Sequence, residues 1–387
     1  MTLDRRSFLA TCAAGTAYSA RGWPAGAAAA GQAPWRSTFP ALNQQVNGHP
    51  VTYLDSAATT LRPQSVIDAL TEFYATDNAN PSPVHTLARR AGARLATARQ
   101  AVARFIHAPS PAEIIFVRGT TEGLNLVANT WAAANLRSGD EIVLTLAEHA
   151  SNLMPWTRAA RQAGAAIRVV GVDDEGRPRL EELKRLLSSR TRLMAFSHVS
   201  NVLGFVNPAK EMCALAKQAG ACVVIDGAQS APHVSIDVQD LGCDFYVFSG
   251  HKMLGPMASG VVWGRQALLD AMPPFHVGSN MAHDVEFDGA AIEHGAQKFQ
   301  AGTPDVAGPV GLTAAIAFLE HAGAEALWRH DQALVRHGLA RLTGIRGLRL
   351  IGPKAPEHRI PVFTFELAGK SPAAIAKALD AQGIAIR

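Results

Sequence analysis

Cys222-Val223-Val224-Ile225-Asp226-Gly227-Ala228-Gln229 and Phe245-Tyr246-Val247-Phe248-Ser249-Gly250-His251-Lys252 are two short apolar runs, each ending abruptly in polar residues. Unbroken apolar runs of this length, rich in β-branched and aromatic side chains, read as strands covered on both faces. The pattern repeats outward in both directions and predicts further strands over Glu113–Val117, Glu141–Leu144, Ile167–Val170, Leu193–Ser197 and Gly260–Trp263. Between the strands lie helix-like stretches over Glu122–Ala134, Leu153–Ala163, Leu180–Leu187 and Pro208–Ala219. Strands alternating with helices in this way predict an α/β fold built on a mostly parallel, seven-stranded sheet. After Gly308 the periodicity predicts helices over Val310–His321 and Ala324–Leu342, then a strand over Val362–Leu367, a helix over Pro372–Gln382 and an extended Ile384–Ile386.

Composition sets the outer limits. The chain has 387 residues, 48% of them hydrophobic and 18% charged, which excludes a disordered protein. Four cysteines in this length cannot make a disulfide framework. With 36 basic and 32 acidic residues the net charge is only +4, and no basic stripe with interleaved aromatics points to nucleic acid. At the N-terminus, Asp4-Arg5-Arg6-Ser7-Phe8-Leu9 precedes a weakly apolar, Ala-rich run, and Ala25–Ala30 offers small residues for cleavage. This reads as a twin-arginine signal peptide. Its apolar run is too short to span a bilayer, which takes ~20 residues. Lipid anchoring at Cys12, preceded by the bulky Thr11, is the weaker reading. The expected organisation is therefore a signal peptide over residues 1–30, a segment 31–50 contributing to a small domain, a large domain over 51–308, and an incomplete small α/β domain over 309–387. The mature protein is expected to be soluble, periplasmic or otherwise exported, and cytoplasmic if the signal is not used.

Chemistry concentrates at the predicted strand exits. Lys252 follows an apolar strand among small residues, where burial lowers an amine's pKa and suits it to forming an imine. By itself it reads equally well as a surface lysine. Asp226 ends a buried run 26 residues earlier and needs a cationic partner there. A protonated pyridine nitrogen is such a partner, and pyridoxal enzymes pair it with an Asp. Arg118-Gly119-Thr120-Thr121-Glu122-Gly123 joins a strand to an apolar-periodic helix, so amides and two hydroxyls there suit a phosphate. A plain capping box has the same appearance. Glu148-His149 puts an imidazole at another exit, where it can stack on a flat cofactor or be a satisfied structural residue. Ser197-His198-Val199-Ser200-Asn201 supplies an amide at a fifth exit. In open α/β sheets ligands bind off the carboxyl ends of strands, so one site accounts for all five.

The runs YLDSAATT, FVRGTTEGLNLVAN, EHASNLMPW, HVSNVLG, DGAQSAPHVSIDVQDLGCDFYVFSGHKMLGP and QAGTPD resemble the fold-type I, class V aminotransferases. Within these the chain is most similar to the group II (SufS/CsdA-like) cysteine desulfurases, from about Tyr53 to Arg387. The resemblance implies a PLP-dependent transferase fold with pyridoxal 5′-phosphate joined to Lys252 as an imine. It implies Asp226 on the pyridine nitrogen, Gln229 on the phenolic oxygen and His149 stacked on the ring. Thr120, Thr121, Ser249 and His251 would hold the phosphate, and Thr303 would reach the phosphate of the partner subunit in a homodimer. Asn201 would lie between cofactor and substrate carboxylate, while Arg387 and His85 would line the substrate pocket. The catalytic pair would be Lys252 and His149, with no metal. The implied reaction takes sulfur from L-cysteine, leaves L-alanine and passes sulfur to an acceptor protein. The family's persulfide cysteine and a carboxylate-binding arginine fall beyond the position of Arg387. Cys213, Cys222 and Cys243 read as buried structural residues. Asn80-Pro81-Ser82-Pro83-Val84 replaces the family's His-Arg-Gly stretch near His85, and Ala150 stands where a second His is expected. Two other readings therefore stand: a different class V aminotransferase, epimerase or β-lyase acting on a small amino acid, and an inactive secreted cofactor-binding scaffold.

Overall fold

The computed structural model describes residues 35–387; the expected signal peptide over residues 1–30, with Cys12, lies outside them. The centre is a seven-stranded sheet of β1 (Ile114–Val117), β2 (Glu141–Thr145), β3 (Ala166–Val170), β4 (Thr191–Ser197), β5 (Cys222–Asp226), β6 (Phe245–Ser249) and β7 (Gly260–Gly264). Their spatial order is β1-β7-β6-β5-β4-β2-β3. Neighbours from β6 through β3 run parallel. β7 alone runs antiparallel, to both β6 and β1. The order reverses direction between β4 and β2, the kind of switch point at which α/β sheets open a crevice, and the exits of these two strands carry Asn201 and His149.

Side chains alternate across each strand, so the sheet has two apolar faces. Met194, Phe196, Val223, Ile225, Tyr246, Phe248 and Trp263 form one core. On that side pack α2 (Thr86–Phe105), α5 (Ala209–Gln218) and α6 (Ala307–Ala322), through Val102, Met212 and Leu312 among others. Leu193, Ala195, Val224, Phe245, Val247 and Val262 form the other core, against α3 (Thr120–Val127) and α4 (Met154–Ala163), whose Leu124 and Trp156 are fully buried. Covering on both faces is why these strands read as continuous apolar runs in the sequence. The predicted helix Glu122–Ala134 is α3 followed by a wider turn over Ala128–Ala132 and a last piece at Ala133–Asn135.

Beyond the sheet, α1 (Gln64–Thr76) packs with α6, and the expected boundary at 308/309 falls inside α6. Then come α7 (Ala324–Leu342), a hairpin of β8 (Leu348–Ile351) with β9 (Thr364–Leu367), and α8 (Pro372–Asp380). Leu367, Ile375, Leu379 and Ile384 make a separate small core. The chain's two regions meet here, because Ile384–Ala385 pairs in parallel with Thr52–Tyr53. Asn47 Nδ2 also donates to the Asp380 carbonyl at 2.7 Å. Unread in the sequence are β8, the exposed hairpin Ala282–Glu286/Gly289–Ile292, and the short strands Gln45–Val46, His49–Pro50 and Thr52–Tyr53. No single helix among the described residues is long and apolar enough to cross a membrane.

Candidate active site

Lys252 and Asp226 are close enough to influence each other's charge. Asp226 is the last residue of β5, nearly inaccessible, and one carboxylate oxygen accepts the Ala228 N–H at 2.9 Å. Burial raises its pKa, while that hydrogen bond and the nearby Lys252 and His149 oppose the rise. Lys252 closes the short helical turn Gly250–Lys252 directly after β6. Burial pushes its ammonium below the usual lysine range; Asp226 opposes this and Arg387 adds to it. An amine that gives up its proton more readily than an ordinary lysine is the prerequisite for a nucleophilic lysine.

Beside this pair the loop before α3 closes onto β6. Ser249 Oγ accepts the Thr120 N–H at 2.8 Å and shares a second 2.8 Å hydrogen bond with Thr120 Oγ1. The approach is tight: a Cβ on Gly119, at φ +149°, would come within 3.2 Å of Ser249 Oγ. Thr121 Oγ1 bonds Ser151 Oγ at 2.8 Å, tying the loop to the turn that follows His149. A capping box is not formed: the N-cap is Gly119, which has no capping side chain, and Glu122 instead accepts the backbone and side-chain N–H of Arg118, the residue before Gly119. With Glu122 occupied by Arg118, the Thr120 and Ser249 hydroxyls pair with each other and that of Thr121 with Ser151.

The remaining predicted residues are distributed as follows. His149 is exposed, and its Nδ1 accepts the Ser151 N–H at 3.1 Å. Gln229 is buried and donates Nε2 to the Ala57 carbonyl at 2.6 Å. His251 is half-buried, with its pKa lowered by burial and by the charges of Lys252 and Arg62. Its carbonyl accepts Thr60 N–H at 2.9 Å and the Thr59 and Thr60 hydroxyls at 3.1 Å. Arg387 forms an ion pair with Asp55 at 3.2 Å. Asn201 is half-buried in the turn after β4. His85 and Thr303 stand apart. His85 caps α2, its Nδ1 accepting Ala88 N–H at 3.3 Å, and Thr303 is exposed in the loop before α6.

One residue with a perturbed charge was not singled out from the sequence. Glu148 is held by Thr145 and Asn152, and burial pushes its carboxyl up to about 7, with Asp226 adding to the rise. Its sequence signal is an acid three residues past the end of a buried strand.

The cluster fits a flat, anionic, aldehyde-bearing cofactor. Ser197 Oγ is buried without a hydrogen-bond partner, and Ser197 is the register partner of Asp226 on the next strand. Neighbouring residues in register point to the same face, so this orphaned hydroxyl lies on Asp226's side of the sheet. A depressed lysine, a buried acid and a hydroxyl cluster at a helix N-terminus therefore share one sheet edge.

The family model described as Aminotransferase class-V matches residues 52–387. A cysteine desulfurase of Synechococcus elongatus is 47% identical over 353 residues, which are 91% of this chain but 56% of that protein. A probable cysteine desulfurase of Halalkalibacterium halodurans is 44% identical, with 91% of this chain and 86% of that protein aligned. The chain thus spans little more than half the length of the Synechococcus relative. Among solved structures, the apo cysteine desulfurase of Thermococcus onnurineus superposes with a TM-score of 0.85 at 34% identity, covering 91% of this chain and 86% of that one. The cysteine desulfurase CsdA of Escherichia coli gives 0.82 at 37% identity with the same coverage, 91% and 86%.

Proposed function

We propose, because this chain belongs to the class-V aminotransferase family, that it holds pyridoxal 5′-phosphate at Lys252 and takes the sulfur from L-cysteine, leaving L-alanine. The observation that carries the reading is the pairing of a depressed lysine with a buried acid at adjacent strand exits. Identity of 44–47% to cysteine desulfurases supports the choice of substrate. When bound, pyridoxal phosphate supplies an aldehyde for the substrate amine and a ring that accepts electron density from the substrate Cα.

The chain's own residues then divide the work. Asp226, at the end of β5, would pair its carboxylate with the ring nitrogen and favour that nitrogen's cationic form. Gln229, tied to the Ala57 carbonyl, would serve the ring's phenolic oxygen, and His149 would stack on the ring. Thr120, Thr121, Ser249 and His251 would hold the phosphate beside the N-terminus of α3. Lys252 takes the proton from the substrate Cα and returns one, a role to which a pKa lowered by burial suits it better than an ordinary lysine. Arg387, anchored on Asp55, and Asn201 orient the substrate carboxylate. A thiolate attacks the substrate sulfur, an S–S bond forms as the Cβ–S bond breaks, and protonation completes alanine. Cys213, Cys222 and Cys243 are buried and free, and burial raises all three thiols, Cys213 to about 12. None of these three is therefore suited to be the accepting thiolate. Exposed Thr303 reaches the phosphate site of a second copy in a homodimer, and residues 1–30 direct export.

Borohydride reduction of the cofactor-loaded protein followed by peptide mapping tests the first step, and the expected label is on Lys252 alone. Cysteine with a reductant is then expected to yield sulfide and alanine in equal amounts, with neither product from Lys252→Ala. A label elsewhere defeats the cofactor site; a correct label with no sulfide defeats the reaction but keeps the cofactor.

A further inference from the structure

Glu148 has no part in the scheme above, yet it is the best-tethered acid near the pocket. Thr145, at the end of β2, donates its hydroxyl to Glu148 Oε1 at 2.5 Å. Asn152, in the turn leading to α4, donates Nδ2 to Oε2 at 2.7 Å. Asn152 is itself fixed, because its Oδ1 accepts Trp156 Nε1 at 2.9 Å and both residues are inaccessible. The Ser197 N–H, at the end of β4, also favours the charged carboxyl. One side chain thus bridges the ends of two strands and the Ala150–Asn152 turn. The residue enclosed by this bridge is His149, whose ring is exposed and whose Nδ1 accepts the Ser151 N–H from within the same turn. An exposed imidazole is held in place only as well as the backbone from which it projects.

We propose that Glu148 is a positioning residue, whose carboxyl clamps the turn carrying His149 to the ends of β2 and β4 and so holds the imidazole over the pocket before any cofactor arrives. The proposal rests on the pyridoxal-phosphate reading only for what His149 meets; the clamp itself is a property of the protein alone. The charged group facing Glu148 is Asp226 from β5, which in turn faces Lys252 and His149; Thr145, Asn152 and Ser197 are neutral. Because folding raises the carboxyl from 4.5 to about 7, the folded protein holds this proton more tightly than the unfolded chain. The stability it contributes is complete below about 4.5 and is lost as pH rises through about 7.

Amide hydrogen exchange on the cofactor-free protein, together with the rate of pyridoxal-phosphate release from the loaded protein, tests the clamp. In Glu148→Ala, amides 145–156 are expected to exchange about tenfold faster with the rest of the sheet unchanged, and release is expected to quicken about tenfold. Glu148→Gln keeps one acceptor oxygen, so it is expected to fall between the two. It is also expected to lose the wild type's fall in thermal midpoint between about pH 4.5 and 7. Exchange and release within twofold of wild type in Glu148→Ala overturn the proposal. So does a uniform acceleration along the whole chain, which would mean a purely structural role. If wild type takes up no pyridoxal phosphate, the cofactor reading fails, and the local exchange comparison still decides the clamp.

Discussion

Lys252 and Asp226 illustrate how two ordinary side chains acquire unusual properties from position alone. Asp226 ends a strand and Lys252 closes the turn directly after one, and both strands are otherwise inaccessible, so neither side chain is fully hydrated and each shifts toward its neutral form. Arg387 contributes to the shift on Lys252. Replacing it, as Arg387→Met, is expected to raise the lysine's pKa, so labelling of Lys252 by an amine-reactive reagent would need higher pH than in wild type. A midpoint that stays put or moves down would contradict the arrangement. The cysteines illustrate the opposite case. Cys222 opens β5 and Asp226 closes it, so the two ends lie about 13 Å apart along the strand. The triple variant Cys213→Ala, Cys222→Ala, Cys243→Ala is expected to release sulfide from cysteine, with reductant present, within about twofold of wild type, since a raised thiol pKa leaves little thiolate. Lys252 and Asp226 were legible in the sequence because an abrupt end to an apolar run is a local signal. Glu148 was not, because its covering depends on Asn152 and Trp156, which only the folded turn brings to it.

At the scale of elements, the loop before α3, proposed to hold the phosphate, depends on glycines of β7 and of the loop itself. β7 runs against its neighbours, and its first residue, Gly260, lies under the loop before α3: a Cβ there would sit 2.5 Å from Gly119 Cα and 2.8 Å from Gly119 N. Backbone cannot yield as a flexible side chain can, so Gly260→Ala is expected to cost about 1–3 kcal/mol of stability. Urea unfolding measures that cost, and equilibrium dialysis is expected to show weaker retention of pyridoxal phosphate because the Thr120–Ser249 contact shifts. The seven strands of the sheet could be read from sequence because burial on both faces leaves unbroken apolar runs. The hairpin Ala282–Glu286/Gly289–Ile292 could not: it is exposed along nearly its whole length and contains His283, Asp284 and Glu286, so no burial pattern marks it. β8 has four residues with an arginine in the middle, too short for alternation to register.

For the whole molecule, the turn after β4 joins the large sheet to the C-terminal unit. Val206 N–H donates to the His358 carbonyl at 2.7 Å and Ile360 N–H to Gly204 at 2.8 Å. Arg359, between them, is almost wholly buried; it donates to the carbonyls of Pro353 and Val362 and stacks on Phe363 at 5.0 Å. Arg359→Met keeps the bulk but abandons two carbonyls, an expected loss of about 1.5–3 kcal/mol, read from the denaturant midpoint. This junction was invisible in the sequence because a lone arginine in a polar loop looks like any solvated charge. The parallel pair of Thr52–Tyr53 with Ile384–Ala385 carries a different consequence. That short pairing carries the stretch that brings Arg387 to Asp55, whereas Lys252 is held in the turn directly after a central strand. Under the proposed roles, grip on the substrate and grip on the coenzyme would thus be mechanically separate. Fraying the pairing would then leave a protein that is still yellow yet indifferent to the amino acid offered to it.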